Sequence, residues 1–288
     1  MPRWRRGACA GGVGACRVAF FSPSIFARGL RFGRLFDPTY CTARGIICRY
    51  GRRDDGTPMQ PIPERDIQPV AVFDFDGTSI GGQSGALVTC YLFMHGYMSL
   101  ARAGRLLWWG VRYKLHLPYH QDEARELVFG ALCGRSSEEV DAILAQFHDE
   151  VLNPLYRPQA IEEVRRCHEQ GISVLLVSAT FEPIAAIAAK RMGVDGFAAT
   201  RMARDAQGRY TGKVDGPVVA GEEKYRAAER WCNERFGPGG WRLERAYGDH
   251  HTDADLLSRA RHAYAVCPGT TLEVSAKRNG WEILDWED

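Results

Sequence analysis

Strands that alternate with helices predict an α/β fold for this 288-residue chain: a Rossmann-like, mainly parallel sheet with helices on both faces, plus an all-helical cap inserted after the first strand. Three observations carry the prediction. The run Val70-Ala71-Val72-Phe73 is short, apolar and rich in β-branched residues, and it passes into acids and Gly77 as a buried strand passes into a loop. Residues 84–154 have helical periodicity only. From Ile172 onward, short apolar runs again alternate with helical ones.

Taken in order, the helical insertion reads as Ala86 to Met94, Leu100 to Leu115, Asp122 to Leu132 and Ser137 to Val151, with breaks at Gly96, Pro118, Gly134 and Pro154. A helix from Gln159 to Glu169 returns the chain to the sheet. Ile172 to Val177 is the second buried strand, ending at Ser178, and Glu182 to Met192 the helix after it. Phe197 to Ala203 and Tyr210 to Val214 flank Gln207-Gly208 as a hairpin, expected as an accessory to the sheet. After a helix from Glu222 to Phe236, three short strands follow at Leu243 to Tyr247, Ala263 to Val266 and Trp281 to Leu284. Helices starting near Asp253 and Thr270 separate them. The expected organisation is an irregular or disordered extension over residues 1–66, a core over 67–83 and 155–288, and the cap over 84–154.

The extension differs in composition from the rest. Its first 36 residues hold seven arginines and no acid. Its apolar run Val18-Ala19-Phe20-Phe21 is too short for a secretory signal, so the segment reads as a disordered or spurious extension, with a transit-like arm as the alternative. Overall the chain carries a net charge of +2, which gives no global reason to expect nucleic acid or an acidic membrane as a partner, so any partner has to be argued locally. No stretch is long and apolar enough to span a membrane, since Met98 to Leu117 contains four basic residues. Nine cysteines without Cys-x-x-Cys spacing read as free thiols in a reducing, cytoplasmic setting.

Asp74, Ser178 and Asp249 each fall at the carboxyl end of a predicted strand, the edge where sites gather in such sheets. Asp74 and Asp76 at a strand end suit a nucleophile and a proton shuttle, because Gly77 lets the backbone leave the pleat; the plain alternative is a solvated turn. Asp249 and Asp253 suit a hard cation such as Mg2+, completed by the Asp74 carboxylate and the Asp76 carbonyl; helix capping is their ordinary role. Ser178 and the amides after it suit phosphate oxygens, and Lys224, at a helix start where a lysine is unfavourable, suits an anion. Capping and a solvated surface position are the respective alternatives.

As a set, Asp74-Phe75-Asp76-Gly77-Thr78, Val177-Ser178-Ala179-Thr180, Lys224 and Gly248-Asp249 with Asp253 resemble, in order, the four motifs of the haloacid dehalogenase superfamily. The resemblance runs from about residue 68 to the end and is strongest to the phosphoserine phosphatase-like branch, whose helical cap lies between motifs one and two. It implies a Mg2+-dependent phosphomonoesterase forming an aspartyl-phosphate on Asp74. Asp76 would be the acid and base, and Thr78, Ser178, Ala179 and Lys224 the phosphate contacts. Asp74, Asp76 and Asp249 would be metal ligands, with Asp253 in support. A small phosphorylated metabolite is the implied partner. One departure bears on substrate: the branch has an acid shortly after motif one that faces an ammonium group, whereas Ser79 to Ser84 contains none. Asp122, Glu123 or Glu126 of the cap would have to replace it, or the substrate lacks that group. Arg125 is a weaker candidate for a second anionic group of the substrate, a surface position being its ordinary reading.

Two further features have ordinary readings. His250 and His251 read as loop or rim residues rather than ligands. The basic and aromatic stretch Arg102 to Lys114 reads as a helix with packed apolar residues and solvated arginines, with a lipid-like substrate or a membrane surface as the other reading. A phosphotransferase would use the same residues, and a phospho-acceptor or binding protein on this fold is the non-enzymatic alternative.

Overall fold

The structure, a computed structural model, describes residues 40–43, 46–49, 67–115 and 121–286. Strands β1 (Tyr40–Ala43) and β2 (Ile46–Arg49) pair antiparallel. The remainder of the extension expected over 1–66 lies outside the described residues.

The seven-stranded sheet begins at β3 (Gln68–Phe73). Its side chains alternate: Ala71 and Phe73 enter one apolar core, Val70 and Val72 a second on the opposite face, and all four are fully buried. Burial on both faces explains why the strand reads as a continuous apolar run. Helices α1 (Ser84–Met94), α2 (Leu100–Lys114), α3 (Gln121–Phe129) and α4 (Ser137–Phe147) form the insertion. A 3-10 turn extends α3 through Leu132, and a π turn follows α4 over His148–Leu152. The predicted helix ending at Val151 therefore changes pitch, and Phe147, His148 and Leu152 all remain buried. Ser136 caps α4, accepting from the Glu139 amide at 3.3 Å while Glu139 accepts from the Ser136 amide at 2.9 Å.

Helix α5 (Pro158–Glu169) leads to β4 (Ser173–Phe181), which runs beyond its expected end at Ser178. Its parallel register with β5 (Gly196–Arg204) shifts between Ser178 and Phe181, so the extra residues form an irregularity rather than a regular ladder. Helix α6 (Glu182–Met192) connects the two. Strand β6 (Tyr210–Asp215) pairs antiparallel with β5. The hairpin is thus a continuation of the sheet, not an accessory, because β5 pairs with both β4 and β6. After α7 (Glu222–Phe236), strands β7 (Trp241–Gly248), β8 (His262–Val266) and β9 (Glu282–Leu284) complete the parallel part, separated by α8 (Ala254–Arg259) and α9 (Thr270–Asn279).

The strand order is β6-β5-β4-β3-β7-β8-β9. The chain builds outward from β3 through β4 and β5, then returns to pair β7 on the other side of β3. Beyond the carboxyl ends of β4, β3 and β7 lies the crevice where the order switches, and parallel α/β sheets bind ligands at such a point.

Candidate active site

Three strand ends deliver acids and a hydroxyl to that crevice. Asp74 follows the last residue of β3 and is 5% exposed. Its amide donates to the Tyr247 carbonyl of β7 at 3.0 Å, and its carbonyl accepts from Ser79 Oγ at 2.5 Å. Gly77 then turns the chain with φ +77°, a left-handed conformation that glycine alone adopts without strain. A Cβ there would also collide with the Asp249 carboxylate, so a bare backbone is needed to bring motif and carboxylate together. Asp249 follows β7, half-buried, and Thr78 Oγ1 donates to its Oδ1 at 3.4 Å.

Asp253 completes the cluster. It ends a 3-10 turn ahead of α8, is fully buried, and accepts from the His250 amide at 3.2 Å. Gly248 permits this approach, since a Cβ on it would stand 2.7 Å from Asp253 Cβ. Lys224, in the first turn of α7 and 4% exposed, bridges two acids: its Nζ lies 2.7 Å from Asp74 Oδ1 and 2.5 Å from Asp253 Oδ1. An unfavourable helix-start position is thus occupied by a lysine because acids face it.

The charges do not balance. Carboxylate oxygens of Asp74, Asp249 and Asp253 all lie within 4.8 Å of one another, with Lys224 bridging only two of them. Burial, reinforced by Asp253 and Asp249 and opposed by Lys224, holds the Asp74 carboxyl well above its usual range. Burial and Asp253 push Asp249 up to about 6. Burial acts to strip the proton from Lys224, but Asp74 and Asp253 outweigh it and raise its pKa. An all-oxygen donor set with excess negative charge, in a gap kept clear by Gly77, fits a hard divalent cation.

Asp76 is held by a separate partner, yet its charge reaches Asp249 and it feels Lys224. Its Oδ1 accepts from the Ser84 amide at 2.6 Å and its Oδ2 from Ser84 Oγ at 3.0 Å, at the first residue of α1. Ser84 Oγ also meets Thr180 Oγ1 at 2.7 Å, which ties the first motif to the second. Burial raises the Asp76 pKa against these hydrogen bonds and the charges of Lys224 and Arg125. Sequence reasoning assigns Ser84 no role and names Thr180 only within the second motif, without its link to Asp76: a serine opening a helix and a threonine in an apolar strand have no spacing signature tying them to an acid.

Ser178 is 1% exposed, and its Oγ accepts from the Thr180 amide at 3.0 Å, a local turn at the β4 irregularity. The Ala179 carbonyl accepts from Thr200 Oγ1 at 3.0 Å, anchoring the same turn to β5. Arg125 of α3 is near enough for its charge to act on Asp76. Glu123 instead pairs with Arg112 at 2.5 Å, and Glu126 with Lys213 at 2.7 Å. The side chain of Asp122 lies outside the described residues. His250 is exposed, with Nδ1 3.0 Å from Thr252 Oγ1, and stands outside the acid cluster.

A family model described as haloacid dehalogenase-like hydrolase matches residues 71–258. The chain is 27% identical over 229 residues to the phosphoserine phosphatase SerB1 of Mycobacterium tuberculosis, covering 78% of this chain and 73% of the relative. It is 26% identical over 231 residues to a histidinol-phosphatase of Neisseria meningitidis, covering 77% of this chain and all of the relative. Among solved structures, a Bordetella pertussis protein of unknown function superimposes with a TM-score of 0.71 at 27% identity, covering 77% of this chain and all of the other.

Proposed function

The chain belongs to the haloacid dehalogenase-like hydrolase family, and from that premise we propose that it is a Mg2+-dependent phosphatase of small phosphomonoesters that works through an aspartyl-phosphate on Asp74. The observation that carries the reading is the meeting of Asp74, Lys224, Asp249 and Asp253 at the switch point, with the Asp76 carboxyl oriented by Ser84.

Lys224 holds Asp74 Oδ1, so Oδ2 attacks phosphorus. The ester P–O bond breaks, and the leaving oxygen takes the proton carried by Asp76, whose pKa burial raises. Asp74 then bears the phosphoryl group. Asp76, now ionised, takes a proton from water as that water attacks phosphorus; the acyl-phosphate P–O bond breaks, and phosphate leaves with Asp74 restored. Ser84 keeps the Asp76 carboxyl oriented through both steps. Ser178, the Ala179 amide, Thr78 and Lys224 contact the phosphate oxygens. Asp74, Asp249 and the Asp76 carbonyl would hold Mg2+, with Asp253 in support, and the ion when bound neutralises phosphate charge.

Relatives named phosphoserine phosphatase and histidinol-phosphatase support a phosphorylated alcohol as substrate. Arg125 suits an anionic group beside the phosphate, while Glu123 and Glu126 are already paired with cations, so a substrate ammonium has no dedicated partner in either. Free cysteines at 90, 133, 167, 232 and 267 fit a reducing, cytoplasmic setting. The test is hydrolysis of a panel of phosphomonoesters with Mg2+, including phosphoserine, histidinol phosphate, sugar phosphates and lysophosphatidate. Turnover of at least one is expected. Asp74→Asn is expected to lower it by at least about three orders of magnitude with the fold intact; full activity in that variant refutes the assignment.

A further inference from the structure

Helix α2 carries its apolar residues on the wrong side for an ordinary cap helix. A surface helix buries its apolar stripe and solvates its charges. Here Leu100, Leu107, Trp108, Val111 and Leu115 recur at i, i+7, i+8, i+11 and i+15 and are all exposed, Leu107 at 73% and Trp108 at 58%. Leu115 stays in register because its amide N–H donates to the Val111 carbonyl at 3.0 Å. Met94, at the end of α1, is 79% exposed as well. Two arginines instead turn toward the protein: Arg102 packs its guanidinium on Gly130, and Arg112 pairs with Glu123 of α3. Ala103 and Leu106 of α2 pack against the core.

Charge selects what covers this face. From Gly77 to Gln121 the sequence contains no Asp or Glu, while Arg102, Arg105, Arg112 and Lys114 lie on α2, and Arg105 is exposed beside the apolar stripe. A second copy would bring the same acid-free surface against itself. The first 36 residues of the chain, with seven arginines and no acid, would repel it too. We propose that the exposed face of α2 is an interfacial membrane-binding surface that lays Leu107, Trp108, Val111 and Leu115 into the headgroup boundary of an anionic phospholipid bilayer. An amphipathic helix with a large aromatic and leucines on one side and basic residues at its edge binds in this way. The inference is independent of the phosphatase chemistry.

The test is flotation of the full chain with vesicles of phosphatidylcholine alone and of phosphatidylcholine mixed with phosphatidylglycerol. The chain is expected to float with the mixed vesicles, and binding to fall about tenfold or more in Leu107→Glu/Trp108→Glu. Arg105→Gln should weaken the preference for the anionic lipid. Hydrolysis of a soluble aryl phosphate should be unchanged in these variants. A second readout uses brominated acyl chains: they should quench the intrinsic fluorescence of the full chain, and Trp108→Phe should still float but lose part of that quenching. Absence of flotation overturns the proposal. So does equal flotation of the double-Glu variant, which would assign binding to the arginine-rich N-terminal segment. A stable dimer that the double-Glu variant converts to monomer, without vesicle binding, overturns it as well.

Discussion

Asp74 and Asp76 are two residues apart, yet their surroundings divide them. Asp74 is held by Lys224 among three carboxylates, whereas Asp76 is gripped by the amide and hydroxyl of one serine. The proposed division of labour between attack and proton transfer follows from that difference. Ser84→Ala removes one of the two bonds to Asp76 and leaves Thr180 Oγ1 without this partner. We expect kcat to fall about tenfold with KM little changed, and the limb of the pH profile set by Asp76 to move upward, because a bond that favours its ionised form is gone. An unchanged profile would remove Ser84 from the positioning role. At this scale the sequence was most informative where residue type and position are both unusual. Asp74 and Asp249 stand at strand ends and Lys224 at a helix start, while Ser84 and Thr180 look like any capping hydroxyls.

At the scale of elements, the irregular backbone matters more than the regular. Gly77 combines a left-handed φ with contact against the Asp249 carboxylate. Gly77→Ala should therefore cost about 1–3 kcal/mol of stability through backbone strain alone and also displace Asp249. Thermal unfolding with and without Mg2+ checks this: the variant should melt lower and gain less from the ion than the parent. Lys224→Met should be more damaging, at about 3–5 kcal/mol, because two buried acids lose their cation. Strand and helix order were legible from apolar runs, since β3 and β4 are buried on both faces. Direction is where periodicity misled: the ordinary reading of α2 packed its apolar residues and solvated its arginines, whereas Leu107, Trp108 and Val111 are exposed and Arg102 and Arg112 turn to Gly130 and to Glu123 of α3, contacts beyond the helix itself. Likewise the run of β4 past Ser178 rests on its pairing with β5, a contact distant in sequence.

For the molecule as a whole, the sheet order places three strand ends around one crevice, and the charge gathered there couples folding to pH and, on the proposed function, to Mg2+. Asp249 has its pKa raised to about 6 in the metal-free protein, against about 4 for an unfolded aspartate. The sign follows: the proton-bound form is favoured in the fold, so this contribution to stability is full below about pH 4 and is lost as pH rises through about 6. The proposed Mg2+ would compete with that proton. It should raise Tm more at pH 7.5 than at pH 5, and differential scanning calorimetry at the two pH values reads the difference; an equal gain would argue against Asp249 as a ligand. The proposed mechanism places covalent chemistry on one residue, Asp74. Its most direct test is acid quench of the enzyme during turnover of an active phosphomonoester, followed by peptide mass spectrometry. An aspartyl-phosphate intermediate gives one phosphoryl group on the peptide that contains Asp74, absent from Asp74→Asn. Turnover with that peptide unmodified, or with the group on another residue, would contradict it.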